Sequence, residues 1–375
     1  MNIPLKLAIF ASFYFGCSDD SKNGVAPEIP PPQATINNDV KADTILTGLS
    51  NPWGIVFLPD NRMLITEREG KIRIAQNGTL LNEIVQGVPD VYANGQGGLL
   101  DIQLHPAYAT NGWIYFCYSK PGTGGGSTTL SRAKLQGNSL VEFKELFVVS
   151  PFISSGAHFG SRIAFDGKGY VFLSTGERGD KSNAQNLGTQ NGKVIRLHDD
   201  GKVPTDNPFV NTPNAKPEIW TYGHRNVQGM VYDKATGTLW THEHGPQGGD
   251  EINIEIKGSN YGWPITTHGI DYNGSVISEY KEKEGIKSPI HTWVPSIAPC
   301  GMALVTTDKY PGWKGSLLVG ALAGQHVARV SLSNNKVTKE EKLLNGVARV
   351  RAVTEAPDGF IYVLTESPGM LLRFK

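Results

Sequence analysis

Six times along this chain a short apolar run breaks at a turn of Asp, Pro, Gly or Asn and resumes as a second, alternating run. The phrases are GIVFLPDNRMLIT (54–66), LLDIQLHPAYATNGWIYFCYS (99–119), SRIAFDGKGYVFLSTGE (161–177), QGMVYDKATGTLWTHEHG (228–245), GMALVTTDKYPGWKGSLLVGA (301–321) and RAVTEAPDGFIYVLTES (351–367). Period-two runs bounded by such residues predict strand, turn, strand. No long segment carries a helical period. A β-sandwich would also alternate, but it gives no reason for one phrase to return six times. The expectation is an all-β chain folded as a six-bladed β-propeller, with residues 43–49 pairing near the strand 370–374 to close the ring. The phrases start 45 to 73 residues apart, more than a minimal four-stranded blade needs, so several connections carry insertions.

The start of the chain follows a different pattern. Lys6 precedes an apolar run over 7–15, too short to span a bilayer as a mature helix, which reads as an export signal. Gly16-Cys17 comes directly after it and resembles the lipobox of bacterial lipoproteins, whose cysteine becomes the lipidated first residue; an ordinary signal peptide with an incidental Cys is the plainer alternative. Residues 1–17 are therefore expected to be the signal ending at the lipobox, residues 18–41, with their PEIPPPQ segment, a disordered polar tether, and residues 42–375 the propeller. The expected location is the bacterial cell envelope, lipid-anchored at Cys17 and facing the periplasm or the exterior, with the membrane met only through that anchor.

At 375 residues the chain can bury a large core, and its 44 Gly and 23 Pro suit strands and turns. The 35 Lys+Arg balance 35 Asp+Glu without a basic block, so nucleic acid is not an expected partner. Cys117 and Cys300 remain in the folded part; two separate buried thiols is the favoured reading, although an oxidising compartment permits a bridge.

Candidate chemistry concentrates in HGPQGGDEINIEIKGSNYGWP (244–264). Gly245, Pro246, Gly248 and Gly249 force the backbone out of a sheet and free carbonyl oxygens. Asp250 and Glu251 add anionic oxygens, and Tyr261 can add a backbone oxygen. An oxygen-only set suits calcium rather than zinc or copper; a tight surface turn followed by a solvated acidic pair is the competing reading. The ends of propeller blades converge on a central mouth, so polar residues beside the six phrases are the other candidates. These are Gln96 in NGQGG, His158 in SSGAHFGSR with Arg162 four residues on, Arg225-Asn226 in YGHRN, and Arg349 and Arg351 in ARVRAV. The last two alternate on one face of a strand, and two guanidinium groups side by side call for a polyanion between them. Singly, each has a bland reading as a structural or solvated residue; together they look like a site for a flat polyanion next to a metal.

From about Leu46 to its end, the chain resembles the soluble pyrroloquinoline quinone (PQQ) dependent aldose sugar dehydrogenases of the glucose/sorbosone dehydrogenase group. The resemblance is carried by NPWGIVFLPD, GVPDVYANGQGGLLDIQLHP, GAHFGSRIAFDGKGYVFLSTGE, NGKVIRLHDDGKVPTDNPF, EIWTYGHRNVQGM, EHGPQGGDEINIEIKGSNYGWP and RVRAVTEAPDGFIYVLT. It implies a propeller holding PQQ and calcium and oxidising the C1 hydroxyl of aldoses to the lactone. Electrons would pass to an external acceptor, a quinone or a cytochrome. It also implies that His158 is the general base and Arg225 the residue polarising the quinone carbonyl. Asn226, Gln96 and Tyr272 become cofactor contacts, Tyr272 at the cofactor or substrate edge, and Arg349 and Arg351 face the PQQ carboxylates. Gly245 and Pro246 become carbonyl ligands of calcium, with Glu251 and Tyr261 at a calcium site beside it.

One departure stands out. Where the resemblance calls for a Lys in a segment like GALK, this chain has Ala323 in GALAG. Losing a charged hydrogen bond costs ~1.5–3 kcal/mol, so weaker PQQ binding is expected. His326 and Arg329 are the only nearby replacement cations, and His268 and Cys300, read as near the mouth, imply a different sugar side. Two other readings stay open: a calcium-dependent propeller lactonase, which needs no arginine pair, and a non-catalytic propeller that binds carbohydrate or protein, which would not need His158, Arg225 and Asn226.

Overall fold

The computed structural model describes residues 32–375. The expected signal, Cys17 and most of the expected tether lie outside the described residues. The described part forms six sheets, each built on a four-stranded antiparallel blade. The inner strands are Pro52–Phe57 (blade I), Leu99–Leu104 (II), Ile163–Phe165 (III), Val227–Asp233 (IV), Pro299–Leu304 (V) and Val350–Glu355 (VI). Each of the six sequence phrases supplies the inner strand and second strand of one blade. The ring closes as expected: Ala42–Leu49 pairs antiparallel with Gly369–Phe374, with Asp43 opposite Arg373, and becomes the outer strand of blade VI. A last strand completed by the first ties the two ends of the chain together and leaves no open seam.

Inner and second strands are buried on both faces rather than alternately. Pro52–Phe57 is buried at all but its last position, and Tyr170–Thr175 at all but its first. The reason is that each blade is covered by a neighbour on either side, as in other stacked sheets. Six apolar clusters fill the six blade interfaces. Leu64 and Ile72 meet Phe116 between blades I and II, and Tyr115 and Cys117 meet Leu173 between II and III. Phe172 meets Leu239 between III and IV, Trp240 meets Val319 between IV and V, Leu318 meets Val363 between V and VI, and Leu364 meets Ile65 between VI and I. Cys117 and Cys300 are separate buried thiols.

One boundary moves. Thr35–Asn37, inside the expected tether, forms a short strand parallel to Lys336–Leu343 on the outer edge of blade V. Asn37 Nδ2 donates to Glu341 there, so the ordered fold reaches back beyond residue 42. The longest insertion, over 255–290, separates the third strand of blade IV, Asp250–Ile254, from its outer strand, His291–Trp293.

Candidate active site

Antiparallel order within a blade puts two kinds of connection at the same end: the one entering the inner strand and the one joining the second strand to the third. Most residues of the candidate site come from these connections and from the strand ends beside them, and Tyr261 comes from the 255–290 insertion. They surround two adjacent cavities. The first, about 230 Å³, is lined by Trp53, Arg68, Gln96, Gln228, Arg349, Arg351 and Glu366 among others. Three guanidinium groups face one carboxylate, which makes this cavity cationic. The second and smaller is lined by Arg225, Glu243, Gly245, Glu251 and Tyr261. His244 lines both.

The arginine pair has a partner within the chain. Arg349 Nε donates to one oxygen of Glu366 at 3.0 Å, and Arg351 Nη2 to the other at 2.7 Å. Burial works against the Glu366 charge, but Arg351 and Arg349 outweigh it and hold the carboxyl below its ordinary range. The expectation that a polyanion is needed between the two guanidinium groups is thus corrected: Glu366, itself part of the cavity lining, already bridges them. Cys300 is corrected too. It is fully buried behind Arg351, 3.2 Å from its Nη1, and not at the sugar side of the mouth.

His158 stands at the edge of the first cavity, between Gln96, which lines it, and Phe159 and Gly160, which also do. Its amide donates to Gln96 Oε1 at 2.9 Å. Its backbone is left-handed, φ 54°, a costly conformation for a non-glycine residue. The loop packs so closely on the next strand end that a Cβ on Gly176 would lie 2.0 Å from the His158 carbonyl oxygen. That close approach brings Nδ1 to Glu177 Oε2 at 2.7 Å, with the two side chains 12% and 2% exposed. A carboxylate only accepts, so Nδ1 carries the proton and Nε2 is left as the basic nitrogen. Asn226 sits below, its Oδ1 accepting from the Gly160 amide at 3.1 Å.

In the second cavity, Glu243 and Glu251 are cross-strand neighbours. Glu243 is fully engaged: it accepts from His224 Nδ1 at 2.8 Å and from the Arg225 amide at 2.6 Å. Burial opposes a charge on His224, but Glu255 and Glu243 outweigh it and lift its pKa to about 10. Glu251 differs. Its nearest donor is Asn253 Nδ2 at a long 3.4 Å, and burial, followed by repulsion from Glu243, pushes its pKa up to about 8. A half-buried carboxylate without a strong donor is the feature a cation would complete. Tyr261 stacks on His224, and its hydroxyl donates to the Ile254 carbonyl.

Two expected metal groups behave otherwise. Asp250 is not available as a ligand, because its oxygens accept from the amides of Gly245, Ile297 and Ala298 and from the Ser296 hydroxyl at 2.7–3.0 Å. It pins the 245–249 loop to the entry of blade V. The Gly245 carbonyl accepts from Arg225 Nη1 at 3.1 Å, so one of its lone pairs meets a guanidinium and one is left over. Pro246 is buried beside it but lines neither cavity. Tyr272 is 65% exposed and outside both linings; its carbonyl accepts from Gln247 Nε2. Neither candidate replacement for the absent lysine faces the first cavity: His326 Nδ1 is bonded to the Gly324 carbonyl, and Arg329 is paired with Glu341. The cation that does line it is Arg68, which the sequence did not single out.

Sequence reasoning also passed over Trp53, Glu177 and Glu366. The two acids share a signal. Second strands in blades I, III, IV and VI end in Thr66-Glu67, Thr175-Gly-Glu177, Thr241-His-Glu243 and Thr365-Glu366. Each acid points to the same end of the ring and ties down a basic or amide group: Arg73 and the Ser50 amide for Glu67, His158, His224, and the arginine pair.

The six-bladed ring thus presents, at one end, a cationic cavity, a carboxylate-bearing cavity beside it and an oriented imidazole at the rim. The chain belongs to the glucose/sorbosone dehydrogenase family, whose family model matches residues 49–373. It is 44% identical to the aldose sugar dehydrogenase YliI of Escherichia coli K12, over 91% of this chain and 93% of that protein. The crystal structure of the soluble E. coli aldose sugar dehydrogenase in its apo form superposes with a TM-score of 0.87 at 42% identity, covering 90% of this chain and 99% of that one. The PQQ-bound aldose sugar dehydrogenase of Streptomyces coelicolor superposes with a TM-score of 0.76 at 27% identity, covering 92% and 99%.

Proposed function

We propose that this protein oxidises the C1 hydroxyl of aldose sugars to the lactone, with PQQ as hydride acceptor and calcium as its Lewis acid, and passes the electrons to an external acceptor. The observation that carries the reading is the adjacency of the two cavities, one cationic and one holding the under-satisfied Glu251 carboxylate, with His244 common to both. The residues present fit both groups. Arg68, Arg349 and Arg351 suit a planar polycarboxylate. Glu251 with the Gly245 carbonyl suits a hard oxygen-binding cation.

When bound, PQQ supplies the two-electron acceptor and calcium the polarisation of its carbonyl. The chain supplies the rest. His158 Nε2 takes the proton of the sugar hydroxyl, and Glu177 stabilises the imidazolium that results. Arg225 brings a buried guanidinium to the wall of the second cavity, bonded to the carbonyl of the shared His244, where it can stabilise developing negative charge. Trp53 and Phe159 supply the apolar part of an otherwise polar cavity wall, against which a flat ring system can pack. The test is reconstitution: purified protein incubated with PQQ and calcium is expected to acquire a quinone absorbance and to reduce an artificial dye with aldoses, without nicotinamide. Failure to turn over any aldose after reconstitution would refute it.

A further inference from the structure

Arg162 has no part in that chemistry, yet its guanidinium lies on the propeller axis and meets the inner strand of every other blade. It stacks on Trp53 of blade I at 3.9 Å and faces Asp101 of blade II at 3.6 Å. Nε donates to the Gln228 carbonyl of blade IV at 2.7 Å. Nη2 donates to Cys300 Sγ of blade V at 3.3 Å and to the Arg351 carbonyl of blade VI at 3.1 Å. Its own backbone is fixed in blade III through Ser174. The side chain is 7% exposed.

The same thiol that accepts from Arg162 accepts from Arg351 Nη1 at 3.2 Å, and its S–H points to Gln228 Oε1 at 3.7 Å. Arg351, Gln228 and Trp53 line the cationic cavity above, whereas Arg162 and Asp101 line a separate cavity below. Arg162 therefore divides the central channel, with Trp53 as the upper layer of the floor and the guanidinium as the lower. Only a planar fork can meet three acceptors in its plane and an aromatic face at once; an ammonium cannot.

We propose that Arg162 is the positioning residue of the cofactor cavity: it clamps the inner strands of the ring and, through the Cys300 thiol, holds the Arg351 guanidinium toward its anionic ligand. This rests on the PQQ reading for the identity of that ligand. Cys300 is the relay because, among the described residues, its Sγ accepts hydrogen bonds from both guanidinium groups, whereas Trp53 offers them only a ring face, at 3.9 and 6.0 Å.

The experiment compares Cys300→Ala, Cys300→Ser and Arg162→Lys with the wild type by titrating calcium-loaded apoprotein with PQQ, alongside the apoprotein melting temperature. Cys300→Ala removes the acceptor and is expected to weaken PQQ binding ~10-fold. Cys300→Ser restores an acceptor and should return affinity to within ~3-fold of wild type. Arg162→Lys should weaken binding at least as much as Cys300→Ala. Equal effects of Ala and Ser, or losses that merely follow melting temperature, would reduce the residue to a structural role and overturn the proposal. If the wild type itself does not bind PQQ, it is the functional reading that falls. Crystal structures of the two Cys300 variants then decide the clamp: Arg351 displaced from Glu366 in Ala but not in Ser supports it, and Arg351 unmoved in both overturns it.

Discussion

Glu177→Gln isolates the contribution of the carboxylate behind the base. The substitution keeps size and an acceptor oxygen but removes the charge that the imidazolium would face at 2.7 Å. Both side chains are nearly enclosed, so solvent screens little of that interaction. A charge-assisted hydrogen bond is worth ~1.5–3 kcal/mol, and each ~1.4 kcal/mol is tenfold in rate, which gives a fall in kcat of roughly 10- to 100-fold. Because Glu177 does not line the cationic cavity, PQQ affinity should stay within about 3-fold of wild type by the spread of such remote effects. The assay is dye reduction with saturating aldose on fully reconstituted enzyme, with PQQ titrated separately by absorbance. His158→Ala serves as the reference: it should abolish turnover and leave PQQ bound. A Glu177→Gln enzyme whose kcat stays near wild type would refute the assignment of His158 as a base oriented by this acid.

Calcium should raise the melting temperature, and its effect should grow with pH. Without metal, the folded state keeps a proton on Glu251 between its ordinary 4.5 and about 8, so stability falls as pH rises through that window; calcium holds the deprotonated form and flattens the trend. A chelator that changes neither melting nor activity between pH 6 and 8 would count against the site, and Glu251→Gln should remove the pH dependence. Arg68→Ala should weaken PQQ binding, and Ala323→Lys should recover part of the loss, most clearly at low ionic strength; unchanged affinity in both would mean the cavity is not built for this anion. Calcium and PQQ should also tighten each other, by the same factor in either direction since linkage is reciprocal, and a factor of one in paired titrations would show that they occupy unrelated sites. Mass spectrometry of the native N-terminus is expected to find an acylated Cys17; a mature chain starting beyond it without acyl groups refutes the anchor.

The propeller was legible because its signal is repetition. Six phrases with the same strand, turn and strand cannot be produced by one sheet, and the closing pair 43–49 with 370–374 follows from the need to seal a ring. What the sequence could not show was burial on both faces, since a strand between two blades has no polar side to alternate. Within the site, residues carried by glycine-rich or like-charged stretches could be found: His158, Arg225, Arg349 and Arg351. Their partners could not, because an acid at a strand end looks the same whether it faces water or an imidazole. The pattern of Thr and Glu closing four second strands was nonetheless present and carried the information. Asp250 failed in the opposite way: two adjacent acids read as a ligand pair, but alternation along a strand points neighbours to opposite faces, and only Glu251 reaches the cavity.

The placement of charge follows from the same geometry. Successive blades deliver cations to one side of the mouth, from the connections entering blade VI and leaving the second strand of blade I, while blade IV delivers the carboxylates and its glycine-rich loop to the other. Between them lies His244, whose Nε2–H donates to the Pro299 carbonyl at 2.8 Å. Burial first, and then Arg225, hold its pKa well below the ordinary histidine value, so the imidazole is neutral. A charged group there would oppose one cavity or the other: an imidazolium would repel the metal, and an acid would repel the polyanion. On the proposed reading, a neutral ring would let a cation and an anion approach from either side without repelling either. The Arg225 guanidinium, bonded to the His244 and Gly245 carbonyls, stays on the carboxylate side of that ring, where it lines the second cavity with Glu243 and Glu251 and its charge is offset by theirs.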